Sequence, residues 1–202
     1  MTLVAVSKTK PVEDIMELYE LGHRDFGENY VQELVDKYEQ LPKDINWHFI
    51  GHLQSNKVKY IAPFVKLVHG VDSFKLLKEI NKQAAKNGRE IDALLQMHIA
   101  REESKFGLDE AELKELIALL ADDPLHNIRV RGMMGMASFT EDQQTVRSEF
   151  RHLKTLFDQY TQLKTSNIRF EILSMGMSGD YALAIEEGST LVRIGSLLFG
   201  SR

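Results

Sequence analysis

The stretch LVAVSKTKPVEDIMELYELG, residues 3–22, contains the structural unit that is repeated along the whole chain. Residues 3–6 form an apolar, β-branched run, which is typical of a strand buried on both faces of a parallel sheet. Pro11 and the apolar periodicity after it predict a helix that is ended by Gly22. The stretch therefore predicts a strand followed by a helix, and it leaves Lys8 at the carboxyl end of a buried strand, where a charged residue is unusual.

The same order of strand and helix recurs to the end of the chain. Strand-like runs lie at LVAV (3–6), RDF (24–26), WHFIG (47–51), LVHGV (67–71), ALLQMHI (93–99), RVRGMMGM (129–136), FEILSMG (170–176) and LVRIG (191–195). Segments with helical periodicity separate them, such as AELKELIALL (111–120), where apolar residues recur every three or four positions. Strict alternation implies parallel strands joined by right-handed crossovers.

Eight such units predict an α/β fold, a closed (β/α)8 TIM barrel. The 202 residues lie at the short end of the roughly 200 to 400 expected for that fold, and an open doubly wound sheet is the alternative. Because no Gly/Pro/Ser-rich linker interrupts the pattern, we expect a single domain over residues 1–202.

Composition excludes several classes of protein. No apolar run approaches the roughly 18 residues of a membrane span, and no basic segment followed by an apolar one begins the chain, so we expect a cytoplasmic protein without membrane contact. The absence of cysteine excludes disulfides, thiolate metal sites and cysteine nucleophiles. A net charge of -5 argues against a protein that binds nucleic acid through a basic excess.

Lys8 is the first candidate for chemistry, because reactive groups of a barrel lie where strands end and βα loops begin. One interpretation is a solvated lysine that merely follows a strand. The other is an imine-forming lysine, since partial burial makes an ammonium give up its proton more easily and leaves a nucleophilic amine.

The second candidate site is formed by the loops after the last two strands. Strand seven runs into Gly176, Met177, Ser178 and Gly179, and strand eight runs into Gly195 and Ser196 before a short helix. Barrels often bind phosphate at these loops, where small residues expose backbone N–H groups and serines donate hydroxyls. The alternative is that Ser178 and Ser196 only cap helices, but as a pair they favour a phosphate site.

Arg193 lies within strand eight, two residues before Gly195, so the two residues share a face of the strand. A guanidinium inside a barrel needs an anion or an acceptor, and a structural ion pair with a glutamate is the alternative. An amine, a phosphate site and an arginine together would suit an aldehyde that carries a phosphate.

Three further patterns carry weaker predictions. His48 and His52 have the spacing of a helical metal pair but lie on a strand and its loop, so we expect no metal site. Asn29 follows strand two and either caps the next helix or turns into the barrel mouth. The run GMMGM (132–136) is interpreted as barrel filling, since methionine adapts to irregular gaps.

Motifs along nearly the whole chain resemble the pyridoxal 5'-phosphate homeostasis family, the single-domain relatives of the alanine racemase barrel. The matching segments are LVAVSKTKP (3–11), FGENYVQE (26–33), WHFIGHLQSNK (47–57), SKFG (104–107), GMMGMA (132–137) and SMGMSGDYALAIEEGSTLVRIGSLLFG (174–200). Members of this family carry a leading helix before the first strand, whereas Met1 lies almost on the strand here. We therefore expect an alanine-racemase-like barrel without that helix.

The resemblance also implies roles for individual residues. Lys8 would hold pyridoxal 5'-phosphate (PLP) as a Schiff base, and Arg193 would face the pyridine nitrogen. Ser178, Gly195 and Ser196 would bind the phosphate, while Asn29 and Met177 match positions that line the cofactor pocket.

The resemblance implies a PLP-binding protein that helps to maintain the intracellular vitamin B6 pool and has no established reaction. Its partners would be PLP and PLP-dependent apoenzymes, and we expect a monomer. The alternative is a PLP-dependent amino-acid racemase, but the resembled racemases take one acid/base group from a second domain, which the 202 residues do not contain. A third hypothesis is a barrel that binds another phosphorylated metabolite, with Lys8 as a charge contact.

Overall fold

The protein, described from a computed structural model that covers residues 1–100 and 106–200, is built around a closed barrel of eight strands. The strands are β1 (Thr2–Val6), β2 (Asp25–Glu28), β3 (Asn46–Phe49), β4 (Leu67–Val71), β5 (Ile91–Gln96), β6 (Ile128–Met134), β7 (Ile168–Ser174) and β8 (Leu191–Ile194). Every neighbouring pair is parallel, and β1 closes the barrel by pairing with β8, with Val4 opposite Arg193. The predicted closed barrel is confirmed, and the open sheet is wrong.

A helix follows each strand, as the alternation predicts. The helices are α1 (Val12–Glu20), α2 (Val31–Gln40), α3 (Val58–Ile61, after a 3-10 turn Ser55–Lys57), α4 (Phe74–Lys86), α5 (Glu110–Asp122), α6 (Gln143–Tyr160), α7 (Tyr181–Glu186) and α8 (Ser196–Phe199). Local sequence sets their ends. Asp109 and Glu112 form a reciprocal capping box at the start of α5, and Gly22, with a φ of 94°, follows the end of α1.

Two apolar clusters hold the barrel together. The larger one fills the space between the strands and the helices and includes Phe26, Trp47 and Phe150. The smaller one takes Val4, Leu67, Leu94, Met134 and Leu191 from five different strands, so these side chains meet inside the barrel. They fill the barrel interior below the carboxyl ends of the strands.

Gly132 is required by the way β6 pairs with β7. Its φ is 150°, and a β-carbon at this position would lie 1.9 Å from the carbonyl oxygen of Ile172. The β6–β7 register shifts between Val130 and Gly132, so the close approach accompanies a local irregularity in the barrel wall.

The strand bounds differ from prediction mainly at the carboxyl ends. The apolar run 93–99 predicts a strand to Ile99, but β5 ends at Gln96, and the chain then pairs Met97 with Leu108 in an isolated bridge. Apolar residues continue past the strand because Met97 and Leu108, which lie beyond it, are also buried in the core. In the motif SKFG (104–107), Ser104 and Lys105 lie outside the described residues.

Candidate functional site

A cavity of about 340 Å³ opens at the end of the barrel where the strands terminate. Its size falls within the roughly 300 to 1,000 Å³ of small-molecule sites. The seven residues predicted from sequence all line it: Lys8, Asn29, Met177, Ser178, Arg193, Gly195 and Ser196. Gly179, which belongs to the candidate phosphate loop after strand seven, lines it too, and five further lining residues were not predicted: Val6, Lys10, Ile50, Met136 and Gly200.

Lys8 lies in the turn after β1, two residues beyond Val6, and its side chain is half-buried. Thr9, the next residue, has a φ of 64°, in the left-handed region that non-glycine residues seldom adopt. Lys10 also lines the cavity and donates from Nζ to the carbonyl oxygen of Phe199 at 2.7 Å. The stretch SKTK therefore brings two ammonium groups to one cavity.

Ser178 and Gly195 are joined across the two loops that follow β7 and β8. The N–H of Gly195 donates to Oγ of Ser178 at 3.2 Å. Among the described residues, neither serine caps a helix through its side chain, because Asp180 precedes α7, Ser196 is itself the first residue of α8, and neither helix has a side-chain cap. Their small side chains lie at the cavity wall instead.

Arg193 is 4% exposed and is held by three hydrogen bonds within the barrel. Nη1 donates to Oγ of Ser174 at 2.5 Å and to its carbonyl oxygen at 3.0 Å, and Nη2 donates to the carbonyl oxygen of Gly135 at 3.2 Å. These acceptors replace the glutamate partner considered from sequence. Burial lowers the pKa of Arg193 to about 10, partly offset by the charge of Asp180, so the guanidinium stays protonated at neutral pH.

A chain of hydrogen bonds extends from Ser174 through the barrel interior. Nδ1 of His69 lies 3.2 Å from Oγ of Ser174, Nε2 of His69 lies 3.0 Å from Nδ1 of His48, and Nε2 of His48 lies 3.0 Å from Oδ1 of Asp25. His69 is fully buried, and burial lowers its pKa well below the usual value, with the charge of Arg193 adding to the effect.

Donor and acceptor chemistry gives this chain a direction. Arg193 can only donate, so Oγ of Ser174 accepts from it, and the hydroxyl proton of Ser174 can be donated in a hydrogen bond to Nδ1 of His69. In the arrangement that gives each of these side chains a partner, Nε2 of His69 donates to Nδ1 of His48 and Nε2 of His48 donates to Oδ1 of Asp25. Burial raises the pKa of Asp25, but the hydrogen bond from His48, together with His23 and Asn46, outweighs burial and leaves that pKa below its usual value. This series of hydrogen bonds was not predicted from the sequence, although a histidine in the buried run LVHGV indicates that a polar partner lies inside the barrel.

Asn29 and the methionines of GMMGM (132–136), the remaining candidates from sequence, occupy different places in the barrel. Asn29 lines the cavity rather than capping α2, whose cap position is Tyr30, and its buried Oδ1 has no hydrogen-bond partner among the described residues. Met134 lies in the barrel interior as predicted, whereas Met133 packs between the strands and the helices and Met136 of the same run lines the cavity.

His48 and His52 do not converge. His48 points into the barrel, whereas the ring of His52 stacks on Phe106 with centroids 4.5 Å apart. No group of three potential metal ligands occurs within residues 1–100 and 106–200. In the same ranges, no helix combines the length and the apolar composition needed to cross a bilayer.

The lining of the cavity is cationic. Lys8, Lys10 and Arg193 contribute positive charge, Ser178 and Ser196 contribute hydroxyls, and none of the described lining residues is a carboxylate. Val6, Ile50 and Met136 supply apolar walls. The arrangement suits a ligand with an apolar part, an anionic group and a carbonyl able to react with an amine.

Comparison with known proteins gives close relatives over the full chain. The family model for the alanine racemase N-terminal domain matches residues 1–202. The pyridoxal phosphate homeostasis protein of Aquifex aeolicus is 45% identical over 201 residues, which cover 99% of this chain and 86% of that protein. The protein of the same name from Escherichia coli K12 is 40% identical over 206 residues, covering 100% and 86%.

Solved structures agree with this relationship. PipY of Synechococcus elongatus, solved with PLP bound, is 35% identical with a TM-score of 0.89, over 99% of this chain and 92% of that one. Alanine racemase from Streptomyces lavendulae is 16% identical with a TM-score of 0.77, over 100% of this chain and 53% of that one. The second likeness establishes the alanine-racemase-like barrel fold alone.

Proposed function

This chain belongs to the pyridoxal phosphate homeostasis protein family, and from that membership we propose that it binds PLP and takes part in maintaining the intracellular PLP pool. The observation that carries the proposal is the cationic cavity at the carboxyl ends of the strands, where an amine, a guanidinium and two serines face one space of about 340 Å³. Residues 1–202 would form one PLP-binding barrel domain.

The residues present fit the cofactor chemically. The hydroxyls of Ser178 and Ser196 and the loop at Gly195 would hold the phosphate, since small residues let a phosphate approach backbone N–H groups. Because the hydroxyl of Ser178 accepts from Gly195, its proton remains available to an anion. Met177 would complete the wall, together with Asn29, whose buried side-chain oxygen has no partner among the residues that the structure describes.

Arg193 would face the pyridine nitrogen and, being protonated, would donate a hydrogen bond to it. Lys8 would hold the cofactor as a Schiff base, in which Nζ replaces the aldehyde oxygen and that oxygen leaves as water. When bound, PLP supplies an electron sink for carbanions, and a donor that leaves the ring nitrogen unprotonated weakens that sink.

We further propose that the protein carries PLP rather than turning over amino acids. Two-base racemisation needs acid/base groups on opposite faces of the substrate α-carbon. Among the described lining residues, the titratable groups apart from Arg193 are Lys8 and Lys10, which come from one loop, and no histidine, tyrosine or carboxylate stands opposite them. PLP-dependent apoenzymes would receive the cofactor, and the protein would act as a cytoplasmic monomer.

A spectrum of the protein with PLP, followed by borohydride reduction and peptide mass mapping, tests this function. We expect a yellow protein with the reduced cofactor on Lys8, whereas Lys8→Ala abolishes the Schiff-base absorbance and keeps weak phosphate-anchored binding. Lys10→Ala is the matched control and should keep the absorbance. Labelling at Lys10 or Lys57 with Lys8 unmodified would contradict the assignment, and binding of phosphorylated metabolites without any Schiff-base absorbance would favour the third hypothesis.

A further inference from the structure

A buried lysine lies directly behind the loop that carries Lys8. Lys37 of α2 is 5% exposed, and its Nζ donates to the carbonyl oxygen of Ser7 at 2.7 Å, to Oε1 of Glu28 at 2.8 Å and to Oε1 of Glu33 at 2.7 Å. An ammonium has three protons, so all of its donors are used. We call Ser7, Glu28, Glu33 and Lys37 the Lys37 network.

The two carboxylates of the network reach both chain neighbours of Lys8. Oγ of Ser7 donates to Oε1 of Glu28 at 2.6 Å. The N–H of Thr9 donates to Oε1 of Glu33 at 2.5 Å. The residue before Lys8 and the residue after it are therefore fixed to the same buried cation, one directly and one through Glu33.

Thr9 makes this attachment necessary. Its φ of 64° is unfavourable for a β-branched residue, and such a conformation persists only where surrounding contacts hold it. The described hydrogen bond to Glu33 supplies that restraint from outside the loop. Without it, the turn would relax toward ordinary backbone angles and change the direction in which Lys8 leaves the chain.

The network is a costly way to stabilise a barrel. Glu28 is fully buried, its Oε2 has no hydrogen-bond partner within the described part of the chain, and burial raises the pKa of its carboxyl despite the nearby Lys37. Apolar residues of similar volume often stabilise a protein as well as a buried ion pair does. The Lys37 network is attached to both chain neighbours of Lys8, which indicates that it holds the position of Lys8 rather than adding stability.

We propose that Lys37, with Glu28 and Glu33, is a positioning group for Lys8, holding the turn of residues 7–9 so that the amine projects into the cavity before the cofactor arrives. This inference rests on the proposed function, because it assigns a purpose to the position of the Schiff-base lysine. The amine of Lys8 is then already oriented toward the cavity, so the turn of residues 7–9 loses less conformational freedom when the covalent bond forms.

Glu33 is the best site for a test. Lys37→Met would leave buried Glu28 without its cation and endanger folding. The side chain of Glu33 is 23% exposed, so water can fill the space left in Glu33→Ala. Glu33→Gln keeps an acceptor oxygen for the Thr9 N–H, and Glu39→Ala, at an exposed position of the same helix, is the matched control.

Two measurements follow the loop and the chemistry separately. Hydrogen exchange of a peptide spanning residues 6–11, on protein stripped of PLP, reports the Thr9 N–H. The rate constant for growth of the Schiff-base absorbance after PLP addition reports Lys8. In Glu33→Ala we expect faster exchange and PLP attachment that is about tenfold slower, because Thr9 without its restraint adopts the left-handed conformation less often. In Glu33→Gln and Glu39→Ala we expect both rates to stay near those of the wild type.

A double variant sharpens the test. Thr9→Gly adopts a φ of 64° without steric cost, so adding it to Glu33→Ala should restore most of the lost attachment rate. Wild-type exchange or wild-type attachment in Glu33→Ala would overturn the positioning role and leave the proposed function intact. Failure of the wild-type protein itself to form a Schiff base would instead overturn the proposed function, and this inference with it.

Discussion

Replacement of Ser178 by alanine is expected to weaken PLP binding by roughly 10- to 150-fold. A hydrogen bond to a charged group contributes roughly 1.5 to 3 kcal/mol, and each 1.4 kcal/mol is about tenfold in affinity. Ser178 belongs in this range because its hydroxyl is half-buried and already accepts from the Gly195 N–H at 3.2 Å, which orients its proton away from that bond.

Ser196 should matter less, although it belongs to the same wall of the cavity. It is exposed, so water competes for its hydroxyl, and we expect a loss below about tenfold. The double variant should lose more than Ser178→Ala alone. The two effects are not expected to add fully, because both hydroxyls serve one phosphate.

Equilibrium dialysis with two ligands distinguishes phosphate binding from a structural effect. Pyridoxal lacks the phosphate, so Ser178→Ala should weaken PLP binding strongly and pyridoxal binding little. Ser166→Ala, at an exposed position before β7 and so at the other end of the barrel, is the control and should change neither. Equal losses for both ligands would refute the phosphate assignment, and unchanged retention of PLP in the double variant would refute it as well.

Two other predictions concern charge and turnover. The folded-state pKa of His69 lies well below its unfolded value of 6.5, so the unfolded chain takes up a proton that the folded chain does not as the pH falls below 6.5. The free energy of unfolding should then decrease toward lower pH by up to about 1.4 kcal/mol per pH unit. Measured by urea unfolding between pH 7 and pH 5, this decrease should be shallower in His69→Gln than in the wild type, and it should match the wild type in the exposed control His126→Gln. The same decrease in His69→Gln and in the wild type would show that His69 is not the group responsible. Incubation with L-alanine or L-serine and chiral chromatography should detect little or no racemisation, because the amines among the described lining residues come from one loop. Turnover on the order of 100 s⁻¹ that Lys8→Ala abolishes would make the racemase alternative correct.

The order of strands and helices and the place of the candidate site were predictable from sequence, because both depend on local patterns. Most of the strands contain a short apolar run, and in a parallel barrel all strands end at the same face. Residues that follow strands one, two, seven and eight were therefore expected to meet, and Lys8, Asn29, Ser178 and Ser196 do line one cavity. Ends of strands were predicted less well, as at β5, because apolar residues pack equally in a strand or in the loop after it.

What only the tertiary structure decided is the set of polar partners inside and behind the barrel. His69 and Ser174 are 105 residues apart, Ser7 and Lys37 are 30 apart, and His48 and His69 are 21 apart. A buried polar side chain in a sequence predicts that a partner exists, since leaving it unpaired is costly, but not which residue the partner is. That choice depends on barrel closure and on the docking of α2 against β2, which place groups within hydrogen-bond distance irrespective of their separation along the chain.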